Sequence, residues 1–335
     1  MVTGVYTAPR RAATICTLAL LFVAALAVGA GVGAVRYAPG AVLRAALHPF
    51  GTGGADQVLW MLRFPRVLIA ALVGAALSLA GALLQGMLRN PLVDPYLTGA
   101  SAGAACAVAV ALVIGFALPA LPLVAFVAAV ATSALVAVLA RTGSGISAER
   151  LILAGVSLSA LFAGIVTLVL VMAPPSSSSL GILAWLGGSL AGRGWPELSW
   201  AALYALAGAV VALALAPALN ALRLGDERAR ALGVNVDRTH WAIVGSAALL
   251  TAAAVSVSGM VGFVGLIVPH VARRMVGSDA RWMLPACALA GAILVIAADA
   301  LSRALLPPLE LPLGVLLSLL GVPAFLYLAF HRRAA

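Results

Sequence analysis

With 335 residues, of which 64% are hydrophobic and only 9% charged, the chain lies far below the roughly one-quarter charged fraction of soluble domains, which excludes a soluble globular fold. The net charge of +10 comes from 20 arginines and no lysine, scattered among apolar runs, which fits charge near lipid headgroups rather than nucleic-acid binding. Without lysine there is no phosphate-binding loop, whose lysine reaches the terminal phosphates, so any ATP hydrolysis belongs to another subunit.

Apolar runs able to cross a hydrocarbon core of roughly 30 Å, which takes about 20 helical residues, recur along the chain. They predict an all-α polytopic membrane protein, one transmembrane domain over residues 1–335, with ten helices at 14–35, 67–86, 96–114, 118–140, 151–172, 200–220, 241–258, 259–275, 283–304 and 312–330. The first run follows Arg10 and Arg11 and has the outline of a signal peptide, but it exceeds the usual apolar core of roughly 7 to 15 residues. It reads as an uncleaved first span.

Between the first two runs, Arg36 to Pro65 is long enough for short surface helices. RNPLVDP, residues 89–95, follows the second run; Asn90 and Asp94 each precede a proline, which drives them out of helical conformation and forces a sharp turn. Residues 173–199 hold PPSSSS, of loose composition, and Trp185 and Trp195, which with Trp200 have the character of interfacial anchors.

Residues 222–241, LRLGDERARALGVNVDRTHW, predict a short helix with acidic residues at its start, arginines further on and Gly233 at its end, in agreement with the helix dipole and glycine capping. With Leu224, Ala229 and Leu232 partly exposed, such a helix has reason to form if it docks onto something. In GFVGLIVPHVARRMVG, residues 262–277, His270 has no second histidine at metal-ligand spacing, so no metal site is assigned. Asp299 and Arg303 share a helix face and can pair, and Glu310 opens the last run.

Counting arginines orients the chain. With the N-terminus inside, 14 lie on the inner side and six, Arg36, Arg44, Arg63, Arg66, Arg193 and Arg303, on the outer side, which favours cytoplasmic termini and an even number of spans. Arg63 and Arg66 then stand where positive charge is normally avoided, which suggests a partner that binds them.

Cys16, Cys106 and Cys287 form no CxxC pair and read as buried free thiols. Apart from Asp299 no carboxylate lies deep in a span, which counts against proton coupling. No HExxH or comparable catalytic grouping is present. Two classes remain: a non-catalytic subunit of a larger transport machine, or a stand-alone secondary carrier for a hydrophobic or anionic solute.

Set in order, RFPR, GALLQGMLRNPLVDP, ILAGVSLSAL, WLGGSL, LGDERARALGV, SGMVGFVGLIVPHVARR and ELPLGVLLSLLGVPAFLYL make the chain resemble, from about Gln57 to Tyr327, a FecCD-type permease. That family supplies the membrane subunit of ATP-binding cassette importers for iron siderophores, haem and cobalamin. The resemblance implies ten helices in the bacterial inner membrane and a second permease subunit, with a homodimer plausible for a complete ten-helix chain. It also implies two cytoplasmic ATP-binding subunits that hold the ATP and Mg, a periplasmic substrate-binding protein that delivers a metal chelate, and no cofactor in this chain.

Carried over residue by residue, the resemblance makes Arg63, Arg66 and Arg303 the docking set for acidic residues of the binding protein. Leu224, Gly225, Asp226, Glu227, Arg228, Ala229, Arg230, Ala231, Leu232 and Gly233 become the element that couples to the ATPase. Asn90, Pro91 and Leu92, with Ser147 and Ala148, become the cytoplasmic gate, although Ala148 stands where a hydroxyl residue is expected. Tyr96 and Thr98 replace small or aliphatic residues common in relatives, which bears on substrate identity.

Overall fold

A computed structural model of the chain describes residues 7–33, 35–48, 53–142, 145–173, 177–307 and 309–330. Arg332 and Arg333, counted above with the inner side, and Pro174 to Ser176 of the serine-rich segment lie outside the described residues. Each of the ten predicted runs contains a helix, and seven helices among the described residues are long and apolar enough to cross a membrane.

In chain order the helices are α1 (Ala8–Gly31), α2 (Pro39–Leu47), α3 (Gly54–Met87), α4 (Ala100–Val113), α5 (Leu121–Leu139), α6 (Ala148–Met172) and α7 (Ser177–Gly187), followed by α8 (Trp195–Ala214), α9 (Ala216–Leu222), α10 (Asp226–Ala231), α11 (Val236–Ser258), α12 (Val264–Val276), α13 (Ala280–Ala304) and α14 (Leu313–Phe330). A two-residue antiparallel hairpin, β1 (Arg141–Thr142) with β2 (Gly145–Ile146), precedes α6. The chain is a helical, multi-pass membrane protein.

The second span starts well before the expected residue 67. α3 begins at Gly54 and takes in a π-helical turn, Leu59–Arg63, just ahead of Pro65. Proline has no N–H for the helical ladder, and a single wider turn accommodates the irregularity without ending the helix. Arg63 and Arg66 therefore sit on a continuous helix and not on a connecting loop.

α3 lies at the centre, enclosed by α8, α11, α12 and α13. Small residues make this possible: a Cβ on Gly74 would strike the backbone of Gly291 in α13, and one on Gly81 the backbone of Gly265 in α12. Without a hydrophobic drive between helices in lipid, such close backbone approach is what gains dispersion contact. α1 and α6, in contrast, leave most of their apolar length uncovered.

A tryptophan and a cysteine also depart from their sequence expectations. Trp185 is buried rather than interfacial, because α7 turns inward and the Trp185 carbonyl accepts from the amides of Gly188 and Met260. Cys16 is exposed on the uncovered α1, while Cys287 is buried.

Candidate functional site

Ion pairs sort the polar residues into two ends. Arg11 near the start of α1 lies 3.7 Å from Asp279 at the start of α13, whereas the C-terminal ends of the same two helices meet in a cluster of five charged side chains.

At the centre of that cluster is Asp299, 1% exposed. Its Oδ1 accepts from Nε (3.0 Å) and Nη2 (2.9 Å) of Arg66, and its Oδ2 from Nε of Arg303 (3.0 Å). The expected Asp299–Arg303 pair thus forms. Arg66 also reaches outward, donating from Nη1 and Nη2 to the two carboxylate oxygens of Glu310 at 3.0 and 2.9 Å. Partial burial raises the Glu310 carboxyl, but the hydrogen bonds and charge of Arg66, with Arg303 and Arg63 behind it, outweigh this and hold it below the usual carboxylate range.

Arg303 and Arg63 have a second task. Arg303 donates to Gly29 O (2.8 Å) and to Val32 O, and Arg63 donates to Val32 O (2.6 Å) and Val35 O (3.2 Å). These carbonyls belong to and follow the last turn of α1, which carries no basic residue of its own. Two arginines from other helices therefore satisfy the negative end of the α1 dipole.

The three arginines assigned to docking are brought together, but not as equals. Arg303 is 4% exposed and enclosed, against the expectation of a surface arginine, because it must reach both Asp299 and the end of α1. Arg66 is largely covered by its two carboxylate partners, and Arg63 is half-buried.

At the opposite end, the segment after α9 folds as expected. Gly225 (φ 106°) and Gly233 (φ 84°) bracket α10, and Val234 N–H to Ala229 O with Gly233 N–H to Arg230 O close it in a Schellman motif. Leu224 and Leu232 are 53% and 64% exposed. Ala229 is fully buried rather than partly exposed, since it anchors the helix to the bundle. Six helical residues hold no stability alone, so this anchor keeps the two leucines presented.

The 89–95 turn runs as its prolines require. Asn90 Oδ1 accepts from Leu92 N–H (3.0 Å), and Asp94 is extended with its side chain accepting from Tyr96 N–H (2.9 Å). Pro91 and Leu92 are exposed. Ser147 caps α6, its Oγ accepting from Arg150 N–H, with Ala148 as the first helical residue. Each of these segments contacts the 222–240 region, described below.

Sequence reasoning missed Gln85. Buried at 3% exposure, it donates to the carbonyls of Val93, Gly265 and Leu266 and accepts from Arg273 (2.7 Å), so one amide fastens the 89–95 turn to α12. Within GALLQG it stood as a lone polar residue in an apolar run, a signal that could have marked it.

The family model of the FecCD transport family matches residues 18–331 of the chain. The chain is 40% identical to the hemin transport system permease protein of Yersinia pestis, over 84% of this chain and 86% of that one. It is 38% identical to the vitamin B12 import system permease protein of Vibrio cholerae, again over 84% and 86%. Among solved structures, an inward-facing metal-chelate type ABC transporter matches with a TM-score of 0.84 and 33% identity, covering 95% of this chain and 98% of that chain.

Proposed function

The chain belongs to the FecCD transport family, and from that premise we propose that it is the membrane-spanning permease subunit of an ATP-binding cassette importer for a metal chelate. The family match across nearly the whole chain carries this reading. The cargo is an iron chelate, haem or ferric siderophore, with cobalamin as the runner-up. Relatives named for hemin and for vitamin B12 stand within two percentage points of each other, so identity does not choose between them.

In this reading ten helices lie in a bacterial inner membrane with both termini cytoplasmic. A second copy of the chain covers the apolar surface left open on α6, two cytoplasmic ATPases hold the ATP and Mg, and the whole chain works as one permease domain. Transport is alternating access, biased by the binding protein on one side and by nucleotide on the other. α10 with Leu224 and Leu232 is the ATPase contact, and Asn90 to Leu92 with Ser147 and Ala148 form the gate. Uptake of haem, a ferric siderophore or cobalamin into proteoliposomes tests this, and should require ATP, the ATPases and the binding protein. Uptake by this chain alone under an ion gradient would instead establish a stand-alone carrier.

Docking falls to Arg63 and Arg66, with Arg303 supporting them from beneath. Glu310 already occupies the outer face of Arg66, so it competes with any incoming carboxylate. Arg63→Glu with Arg66→Glu is expected to weaken capture of the binding protein by about tenfold or more, because like charges then face each other. Glu310→Gln, which leaves Asp299 in place, is expected to strengthen capture. Both effects should be largest at low salt, and equal affinity of all forms in a low-salt binding titration would remove the docking role.

A further inference from the structure

α10 and the stretches just before the two gate segments, far apart in sequence, meet around two carboxylates, Asp226 and Asp237. Asp226, at the start of α10, lies 3.7 Å from the guanidinium of Arg89 and 3.9 Å from Nε2 of His240. Arg89 immediately precedes Asn90. On the other side, the backbone of Gly145, two residues before Ser147, rests against α11: a Cβ there would stand 2.7 Å from Asp237 Oδ1 and 3.7 Å from His240 Nδ1. Asp237 in turn lies 3.9 Å from Arg230 of α10.

Two further observations mark this as more than a solvated charge group. Arg89 holds a left-handed backbone conformation, φ 52°, at a helix end where glycine or asparagine is the unstrained choice. A residue kept in that region persists where its surroundings demand it. His240 is 4% exposed, and among the described residues neither ring nitrogen makes a hydrogen bond; its Nε2 faces Asp226 of α10 and its Nδ1 lies beside Gly145.

We propose that Arg89, Asp226 and His240 are positioning residues that tie α10 to both gate segments, so that displacement of α10 moves Asn90 and Ser147 together. Arg89 is the arm to the first gate segment, and His240, backed by Asp237, is the strut to the second. The proposal rests on α10 being the ATPase contact, and its test separates the two.

The test uses the assembled transporter with its ATPases and binding protein in proteoliposomes, reading cargo uptake per ATP hydrolysed. Arg89→Gly suits the left-handed backbone better than arginine does and removes only the arm. It should retain ATPase association while uptake per ATP falls about fivefold, the low end of typical coupling between sites. The exchanged pair Arg89→Asp with Asp226→Arg restores the arm but sets an arginine against His240, so it should couple better than Arg89→Asp or Asp226→Arg alone without regaining the coupling of the native pair; aspartate tolerates the left-handed region. Unchanged uptake per ATP in Arg89→Gly, or an exchanged pair no better than its single variants, overturns the proposal. Leu232→Glu tests the premise: release of the ATPase supports it, whereas retained ATPase overturns both the premise and the proposal.

Discussion

Replacing Asp299 with alanine is expected to destabilise the folded protein by about 3–5 kcal/mol, the range found when one partner of a buried ion pair is removed. The carboxylate is 1% exposed and serves two arginines at once. Without it Arg66 keeps Glu310, but Arg303 is left with backbone carbonyls, those at the end of α1 and that of residue 299 itself. A full positive charge then lies enclosed with no negative partner. Asp299→Asn preserves one acceptor oxygen and should lose less, about 1.5–3 kcal/mol for a hydrogen bond to a charged group. Denaturant or thermal unfolding in detergent measures both. If the alanine variant unfolds with the wild type, the cluster is not what holds the ends of α1, α3 and α13 together.

Gly74→Val should have the next largest effect. Gly74 in α3 and Gly291 in α13 meet backbone to backbone, and a Cβ on either would overlap the carbonyl of the other. Overpacking usually destabilises by about 1–3 kcal/mol, and the upper end applies because a main-chain carbonyl cannot rotate aside as a side chain can. The damage should also spread. Arg66 lies eight residues before Gly74 and Asp299 eight residues after Gly291, so on these antiparallel helices the same separation that relieves the clash pulls the ion pair apart. Gly74→Val should therefore lower both the unfolding temperature and capture of the binding protein, whereas Gly74→Ala should show a smaller loss of each. Unchanged melting of Gly74→Val would mean that the contact is looser than the structure has it.

The helical fold was legible because twenty-residue apolar runs leave little else to form in a bilayer. The turn at Asn90 and Asp94 and the caps at Gly225 and Gly233 were legible because proline and glycine act locally. What the sequence concealed is tertiary. RFPR reads as two charges at the mouth of a span; that Arg66 faces Asp299 from more than two hundred residues away follows only from the antiparallel packing of α3 on α13. Burial of Arg303 depends on where α1 ends, and no local pattern states that. Arg89 was passed over because its strained backbone is invisible in a string of letters, and Gln85 because its four partners lie on other segments.

The unbroken course of α3 has a mechanical meaning. At 1.5 Å per residue, Arg66 lies about 12 Å from Gly74 along the axis, and Met87, two residues before Arg89, about 20 Å from it on the other side. Taken as a fulcrum, the side-chain-free contact with Gly291 divides this rod unevenly. Any rocking about that point swings the two ends in opposite directions, and the end next to Asn90 travels roughly one and a half times as far as the end that carries the arginines.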